Sequence, residues 1–411
     1  MQLKRLGGLA LGVVAAIGGF VDFAGIINAA QAGTHYRFAL LWTLISGVIG
    51  LIVYTDMAGR VAIASGRTLF DVVRSRLGYA LALVPLGATL IVNTVTLVIE
   101  IAGMALIAEL AIGGDYRLWL VPAALLLAVI LWRGSFALIE DGAAVLGMAM
   151  GVAVVATWRL GPPWGEIASA TLHPELPDAG ELPAYLFAAV GLLGSYMTPY
   201  QFYFYSSGAI EEEWDGQDLV VNRATAVLGS VCGSTIYAGL ILVAALVLFP
   251  RHAEITSIAD AGQPIREALG SLGWAFFLFG VFAVSLGAGL ENALAGAYAL
   301  CQYVGWDWGK EGAPAEAPLF HFTYLAMLLV ALAVAGTGVD PVKLAAVTMA
   351  VAGATLPFTF VPLLAVANDR AVVGDQHNNV AINVAAGAVL AILVVVALAA
   401  IPLLLLSGGG S

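Results

Sequence analysis

The residues of this chain that could do chemistry are few, and they sit where apolar runs are broken. Gly18-Gly19-Phe20-Val21-Asp22-Phe23-Ala24-Gly25 places one carboxylate among glycines. Gly194-Ser195-Tyr196-Met197-Thr198-Pro199-Tyr200 interrupts a second run with glycine, small hydroxyls and proline. Where a helix unwinds inside a bilayer, its freed C=O and N–H groups must find protein, water or an ion. Discontinuous helices at matching positions of two halves mark the midplane binding site of many secondary transporters. The first break offers the Asp22 carboxylate and the backbone from Phe23 to Gly25. The second offers carbonyls from Gly194 to Met197, Ser195 among them, and the Thr198 hydroxyl. Every one of these donors is oxygen, the set that suits Mg²⁺, Ca²⁺ or Mn²⁺. Asp22, Gly25, Ser195 and Thr198 are therefore the expected metal ligands. The competing reading of the second break is a plain Gly-Pro kink, which membranes tolerate. Two breaks together with a buried Asp favour the site.

Around that pair the sequence supplies a smaller cast. Met197 could offer a thioether, but it points about 100° away from Thr198 on a helix. Phe23, Met197, Tyr200 and Gln201 are expected to line the cavity. Asn93, Thr96 and Glu100 fall at i, i+3 and i+7, one helix face, so Glu100 and Asn93 belong either to an interior polar track or to a helix–helix hydrogen bond. Glu109 lies about 900° of rotation further on, facing the other way, and reads as a mouth or interface residue. Glu291-Asn292 reads as a vestibule pair or as a contact with another helix. All five histidines lie at segment ends or in loops. That leaves no buried imidazole relay and weakens a case for obligatory proton coupling.

The elements that must position these groups follow from composition. With 61% hydrophobic and 10% charged residues, the chain is no soluble domain. A span needs about 20 apolar residues, and eleven segments qualify: roughly 9–33, 38–64, 80–112, 118–134, 141–159, 184–208, 225–249, 271–304, 318–336, 340–366 and 381–407. The expected fold is an all-α polytopic membrane protein in one domain over 1–407, with 408–411 a probable linker scar. Segments one to five (9–160) and six to ten (184–366) form two halves, and 381–407 adds an eleventh helix. An odd number of spans per half inverts one half relative to the other. The stretch 161–183 reads as a packed interfacial loop, and the acidic run Glu211-Glu212-Glu213 as a solvated one. The first segment carries Asp22 and is too long for a signal peptide, so it reads as a retained helix. Ten Lys and Arg against six favour a cytoplasmic N-terminus. Cys232 and Cys301 read as buried free thiols. The net charge of −11 argues against nucleic acid. No phosphate loop, hydrolase histidine spacing or nucleophile elbow is present, so no enzyme is expected.

In order and spacing these motifs resemble the Nramp metal-transporter superfamily, in its bacterial Nramp-related branch. The likeness runs through Asp22, Gln31-Ala32-Gly33 and Leu40-Leu41-Trp42, then Glu100-Ile101-Ala102-Gly103 and Ser195 to Tyr200. It continues at Gly305-Trp306, Asp340-Pro341-Val342-Lys343, Asn368-Asp369-Arg370 and Gly374, and so spans nearly the whole chain. The resemblance implies a LeuT-type fold, discontinuous helices 1 and 6, and alternating access at those breaks. The departures carry information. The family's Asp-Pro-Gly-Asn becomes Asp22-Phe23-Ala24-Gly25, and its Met-Pro-His becomes Thr198-Pro199-Tyr200. A second histidine matches Tyr205, and an Asp before the third-helix Glu matches Leu97. These changes resemble the subgroup that carries Mg²⁺ and Mn²⁺ as a partly hydrated ion.

The reading is an alternating-access transporter of a hard divalent cation, Mg²⁺ before Mn²⁺, not obligatorily proton-coupled, in a bacterial inner membrane. The cation is cargo; no cofactor is expected, the bilayer is the other partner, and the oligomeric state is left open. Two alternatives remain: a carrier of another small solute on the same fold, and a transport-inactive sensor or interaction protein.

Overall fold

Apolar runs bounded by capping residues become helices across residues 21–310 and 314–406, the part of the chain that the computed structural model describes. Lys4, Arg5, Gly18, Gly19 and Phe20, and the proposed scar at 408–411, lie outside the described residues. Helix α1 (Phe23–Tyr36) starts at Asp22, and α2 (Leu41–Ser65) ends on Gly66. Helix α3 (Leu69–Ile112) is capped by Thr68, and α4 (Tyr116–Arg133) by Asp115. The expected fifth span is assembled from α5 (Phe136–Gly147), a 3₁₀ turn at Met148–Gly151 and α6 (Val152–Arg159). After α7 (Trp164–Leu172), the sixth is split into α8 (Leu182–Tyr196) and α9 (Pro199–Glu211). Then follow α10 (Leu219–Val247), α11 (Ile258–Val304), α12 (Pro318–Ala335), α13 (Pro341–Ala367), the short α14 (Arg370–Val373) and α15 (Val380–Leu406).

Among the described residues eight helices are long and apolar enough to cross a bilayer alone: α2, α3, α4, α10, α11, α12, α13 and α15. Of the expected first span only α1, 14 residues, is described, and the expected fifth and sixth consist of shorter pieces, so the figure of eleven does not emerge from helix length. The expected loop at 161–183 is corrected, since it contains α7. Pro163 precedes that helix and Glu166 sits in its first turn, both favourable at a helix start. The chain bends by 112° between residues 145–159 and α7, and Glu166 pairs with Arg37 just past α1.

Helices α3 and α11 lie against each other along much of their length. Each is bent near its start by a glycine in the left-handed region, Gly78 (φ 79°) and Gly270 (φ 70°), where other residues are strained. Their long second parts coincide with the expected segments 80–112 and 271–304. Elsewhere small residues let backbones approach. A Cβ on Gly33 would meet the Ile241 backbone of α10, and one on Gly194 would stand 2.9 Å from the Met349 carbonyl of α13.

At the Ser65 end of α2, Arg60 is 3% exposed and ties three elements together. It donates to Asp56 and to Asn378 Oδ1, each at 2.7 Å, and to the Gln376 carbonyl. Asp56 also accepts from Asn222 of α10, which in turn accepts from Tyr205 of α9. This network fixes the end of the bundle below the two breaks.

Candidate functional site

The expected break at 18–25 is described only from Val21 on: Val21 and Asp22 are outside helix, and α1 begins at Phe23. A helix start presents unpaired N–H groups and a partial positive charge. Two carboxylates answer it. Asp22 Oδ1 accepts from Gly25 N at 2.6 Å, and Glu100 Oε1, arriving from α3, accepts from Phe23 N at 3.2 Å. Glu100 is thus a cap supplied from 77 residues away. Both side chains are buried, at 2% and 0% exposure.

The second break is dictated by Pro199. With no N–H on proline, the Ser195 carbonyl loses its i+4 donor, and the residue before proline is driven out of the helical region. Thr198 duly sits extended (φ −61°, ψ 134°), and Met197 departs from helix geometry at φ −119°, ψ 44°. The Thr198 hydroxyl is buried with no well-formed hydrogen bond. Ser195 Oγ donates to Gly191 O at 2.9 Å, contacts Met349 Sδ at 2.7 Å and accepts weakly from Asn28 Nδ2 at 3.5 Å. Those three neighbours also line a cavity of about 230 Å³ between α1, α8 and α13, with Gln31 and His35 further along it. Ser195 therefore marks the inner end of a vestibule that reaches the break.

Tyrosines wall the group. Tyr196 and Tyr237 meet edge to face at 4.6 Å, and the Tyr196 hydroxyl is buried without a hydrogen bond. Tyr237 lies beside the Asp22 backbone, and its ring occupies the space a Cβ on Gly25 would take. Tyr200 lies within electrostatic reach of Glu291, Asp22 and Glu100, and Ser285 of α11 stands beside Glu100.

Of the residues named from the sequence, Asp22 and Glu100 meet at the start of α1, Tyr200 lies within electrostatic reach of both and beside Thr198, and Ser195 stands one turn back in α8 against Asn28 of α1. The structure corrects three assignments. Gly25 lies inside regular helix, where carbonyls near the N-terminus are committed to the ladder. It contributes an N–H to Asp22 and room for Tyr237, not an open oxygen. Met197 is seated against Gly50 of α2, in the core, so its thioether is turned away from the break. The Phe23 ring is seated against Gly103 of α3. Gln201, 7% exposed, sits in the first turn of α9, and its N–H reaches the Thr198 carbonyl at 3.3 Å. Asn93 joins α3 to α11 by donating to the Asn292 carbonyl at 3.2 Å. Tyr196, Tyr237 and Ser285 went unassigned in the sequence. Tyr196 could have been found from its place in the second break, but nothing local flags the other two. Among the described residues no group of three or more His, Cys, Asp or Glu could hold a metal.

The family of proteins described as natural resistance-associated macrophage protein-like (Nramp) matches residues 12–402 of this chain. The chain belongs to the Nramp family. It is a membrane transport protein, not an enzyme. A Pseudomonas aeruginosa relative, divalent metal cation transporter MntH 1, is 28% identical over 377 residues, covering 88% of this chain and 83% of the relative. The Acidiphilium cryptum MntH is 25% identical over 381 residues, covering 88% and 82%. Among solved structures, a mutant of the Eremococcus coleocola manganese transporter superposes with a TM-score of 0.70 at 18% identity, over 95% of this chain and 85% of that one. Mhp1 in its inward-facing conformation gives 0.60 at 16% identity, over 98% and 89%. The LeuT-type, all-helical architecture expected for an Nramp protein is what this chain has.

Proposed function

We propose that this Nramp-family protein moves a hard divalent cation, Mg²⁺ in preference to Mn²⁺, by alternating access through the two breaks. The observation that carries the reading is the buried Asp22 carboxylate at the start of α1 together with a second break that frees a backbone oxygen: Pro199 leaves the Ser195 carbonyl without its ladder donor. The Tyr196 hydroxyl is buried there without a hydrogen bond, and the Thr198 hydroxyl has only the Tyr200 side chain beside it. Mg²⁺ keeps several waters, so one carboxylate would bind the ion while hydroxyls and carbonyls hold its waters. The names of the MntH relatives support a divalent metal. The replacement of softer ligands by Thr198 and Tyr200, and the seating of Met197 in the core, support the harder ion.

Alternating access would exchange the vestibule between α1, α8 and α13 for a route on the Arg60 side. The matching bends at Gly78 and Gly270 support two inverted repeats, about 9–160 and 184–366, within a single domain over 1–407. We place the protein in a bacterial inner membrane with the N-terminus cytoplasmic, so the vestibule opens outward. Inward movement of a divalent ion gains about 4.6 kcal/mol per 100 mV, which drives uptake without protons.

Uptake of Mg²⁺ and Mn²⁺ into proteoliposomes with a luminal pH dye tests this. Saturable, mutually competitive entry without acidification is expected, with loss of entry in Asp22→Asn. Entry with acidification would refute the uncoupled reading. No entry of either ion by folded protein would return the search to another solute or a transport-inactive role.

A further inference from the structure

Glu291 is a buried carboxylate without a partner. It lies on α11 at 4% exposure and makes no hydrogen bond or ion pair among the described residues. Asp22 and Glu100, by contrast, each accept a backbone N–H. Leaving an ionised group unpaired in a low-dielectric interior is costly, so a residue kept this way calls for a counter-ion. The same two helices carry other buried polar atoms without a hydrogen bond: Asn93 Oδ1 and Thr96 Oγ1 on α3, and Asn292 Oδ1 next in sequence to Glu291 on α11. Asn93 donates to the Asn292 carbonyl at 3.2 Å, which brings that part of α3 to the Glu291 level of α11. Most buried polar atoms in proteins are paired, and unpaired oxygens at this level suit a cation with its waters.

The position of Glu291 gives this level a direction. Ser285 of α11 stands beside Glu100 at the first break. Six residues advance a helix by about 9 Å, so Glu291 lies deeper along α11, toward Val304. That end of α11 is joined to the start of α3 by Arg74, which donates to the Tyr303 carbonyl at 2.9 Å. It is therefore on the Arg60 side of the site, away from the vestibule. Tyr200, in the first turn of α9, lies within electrostatic reach of both Asp22 and Glu291.

We propose that Glu291 is a second cation-binding carboxylate, reached from Asp22 past Tyr200, which receives the divalent ion on its way to the Arg60 side. This rests on the hard-cation reading above. A divalent ion on Asp22 alone keeps net positive charge, and leaving that residue for a low-dielectric passage is unfavourable without a second anion ahead of it. Glu291 supplies that anion.

The test compares Mn²⁺ binding by calorimetry with Mn²⁺ uptake into proteoliposomes for wild type, Asp22→Asn, Glu291→Gln and Glu291→Asp. Glu291→Gln is expected to bind within about threefold of wild type yet transport at least about tenfold more slowly, because only the step past Asp22 loses its charge partner. Glu291→Asp keeps the charge and should transport faster than Glu291→Gln. Should the Gln variant not purify as folded protein, Glu291→Ala is read in its place, and a rate equal to wild type overturns the proposal. Wild-type uptake by Glu291→Gln, with Asp22→Asn inactive, overturns the Glu291 station and leaves the transport reading intact. Equal losses of binding and rate in Glu291→Gln overturn a separate station, because Glu291 then acts at the Asp22 site. If wild type neither binds nor carries Mn²⁺, and Mg²⁺ used in its place also fails, both proposals fall.

Discussion

Replacing Glu100 by alanine removes an acceptor that the first break has no means to restore. The Phe23 N–H is buried, and its 3.2 Å bond to Glu100 comes from another helix. An orphaned buried donor costs about 1–3 kcal/mol. Loss of a negative charge at a helix N-terminus adds about 0.3–1 kcal/mol. The sum, roughly 1.3–4 kcal/mol, corresponds to a factor of about 10 to 1,000 in the population of the properly formed break. Glutamine keeps an amide oxygen where Oε1 stands and loses only the charge contribution, so its penalty stays near about 1 kcal/mol. Thermal unfolding followed by tryptophan fluorescence, together with Mg²⁺ and Mn²⁺ uptake, separates the two. Glu100→Ala should unfold at clearly lower temperature and lose at least about tenfold in uptake, whereas Glu100→Gln should stay close to wild type in stability and lose no more than about fivefold. Indistinguishable Ala and Gln variants would show that the carboxylate acts through charge alone, and the capping argument would be wrong.

Three other perturbations probe separate parts of the argument. Thr198→Val removes a buried hydroxyl that lacks a well-formed hydrogen bond, so the fold should shift by no more than about 1 kcal/mol while uptake falls; unchanged uptake would take Thr198 out of the ligand set. Gly25→Ala drives a methyl group into the Tyr237 ring, an overpacking worth about 1–3 kcal/mol, and Tyr237→Ala should relieve part of it. A double-mutant cycle with no coupling would contradict that contact. Arg60→Ala breaks a largely buried pair and leaves Asp56 with Asn222 and a more distant Arg223, at a cost below the roughly 3–5 kcal/mol of a fully stranded charge, and Arg60→Lys should not rescue it, because one ammonium cannot match the guanidinium's three partners. A lysine variant with wild-type unfolding temperature would refute the network's role.

Much of the site could be read directly along the chain. A lone Asp among glycines and a Ser-Tyr-Met-Thr-Pro run are local signals, and proline chemistry alone predicts the freed Ser195 carbonyl and the extended Thr198. Apolar length located the spans, and the 3.6-residue period placed Asn93, Thr96 and Glu100 on one buried face of α3. The limits of that reading are equally particular. The sequence cannot say which end of a broken helix faces a ligand, so Gly25 was taken for an oxygen donor when α1 turns its amides to the break. It cannot say what fills the space above a glycine, so Met197 and Phe23 were assigned to the cavity when Gly50 and Gly103 receive them. Nor can it join residues 77 positions apart, as the Phe23–Glu100 bond does, or bring Tyr237 to Asp22 and Glu291 within reach of Tyr200. Propensity, hydropathy and backbone chemistry act within a few residues and belong to the sequence. Which buried polar atoms find partners, and which are left for an ion, depends on how helices distant in sequence pack, and only the tertiary structure decides it.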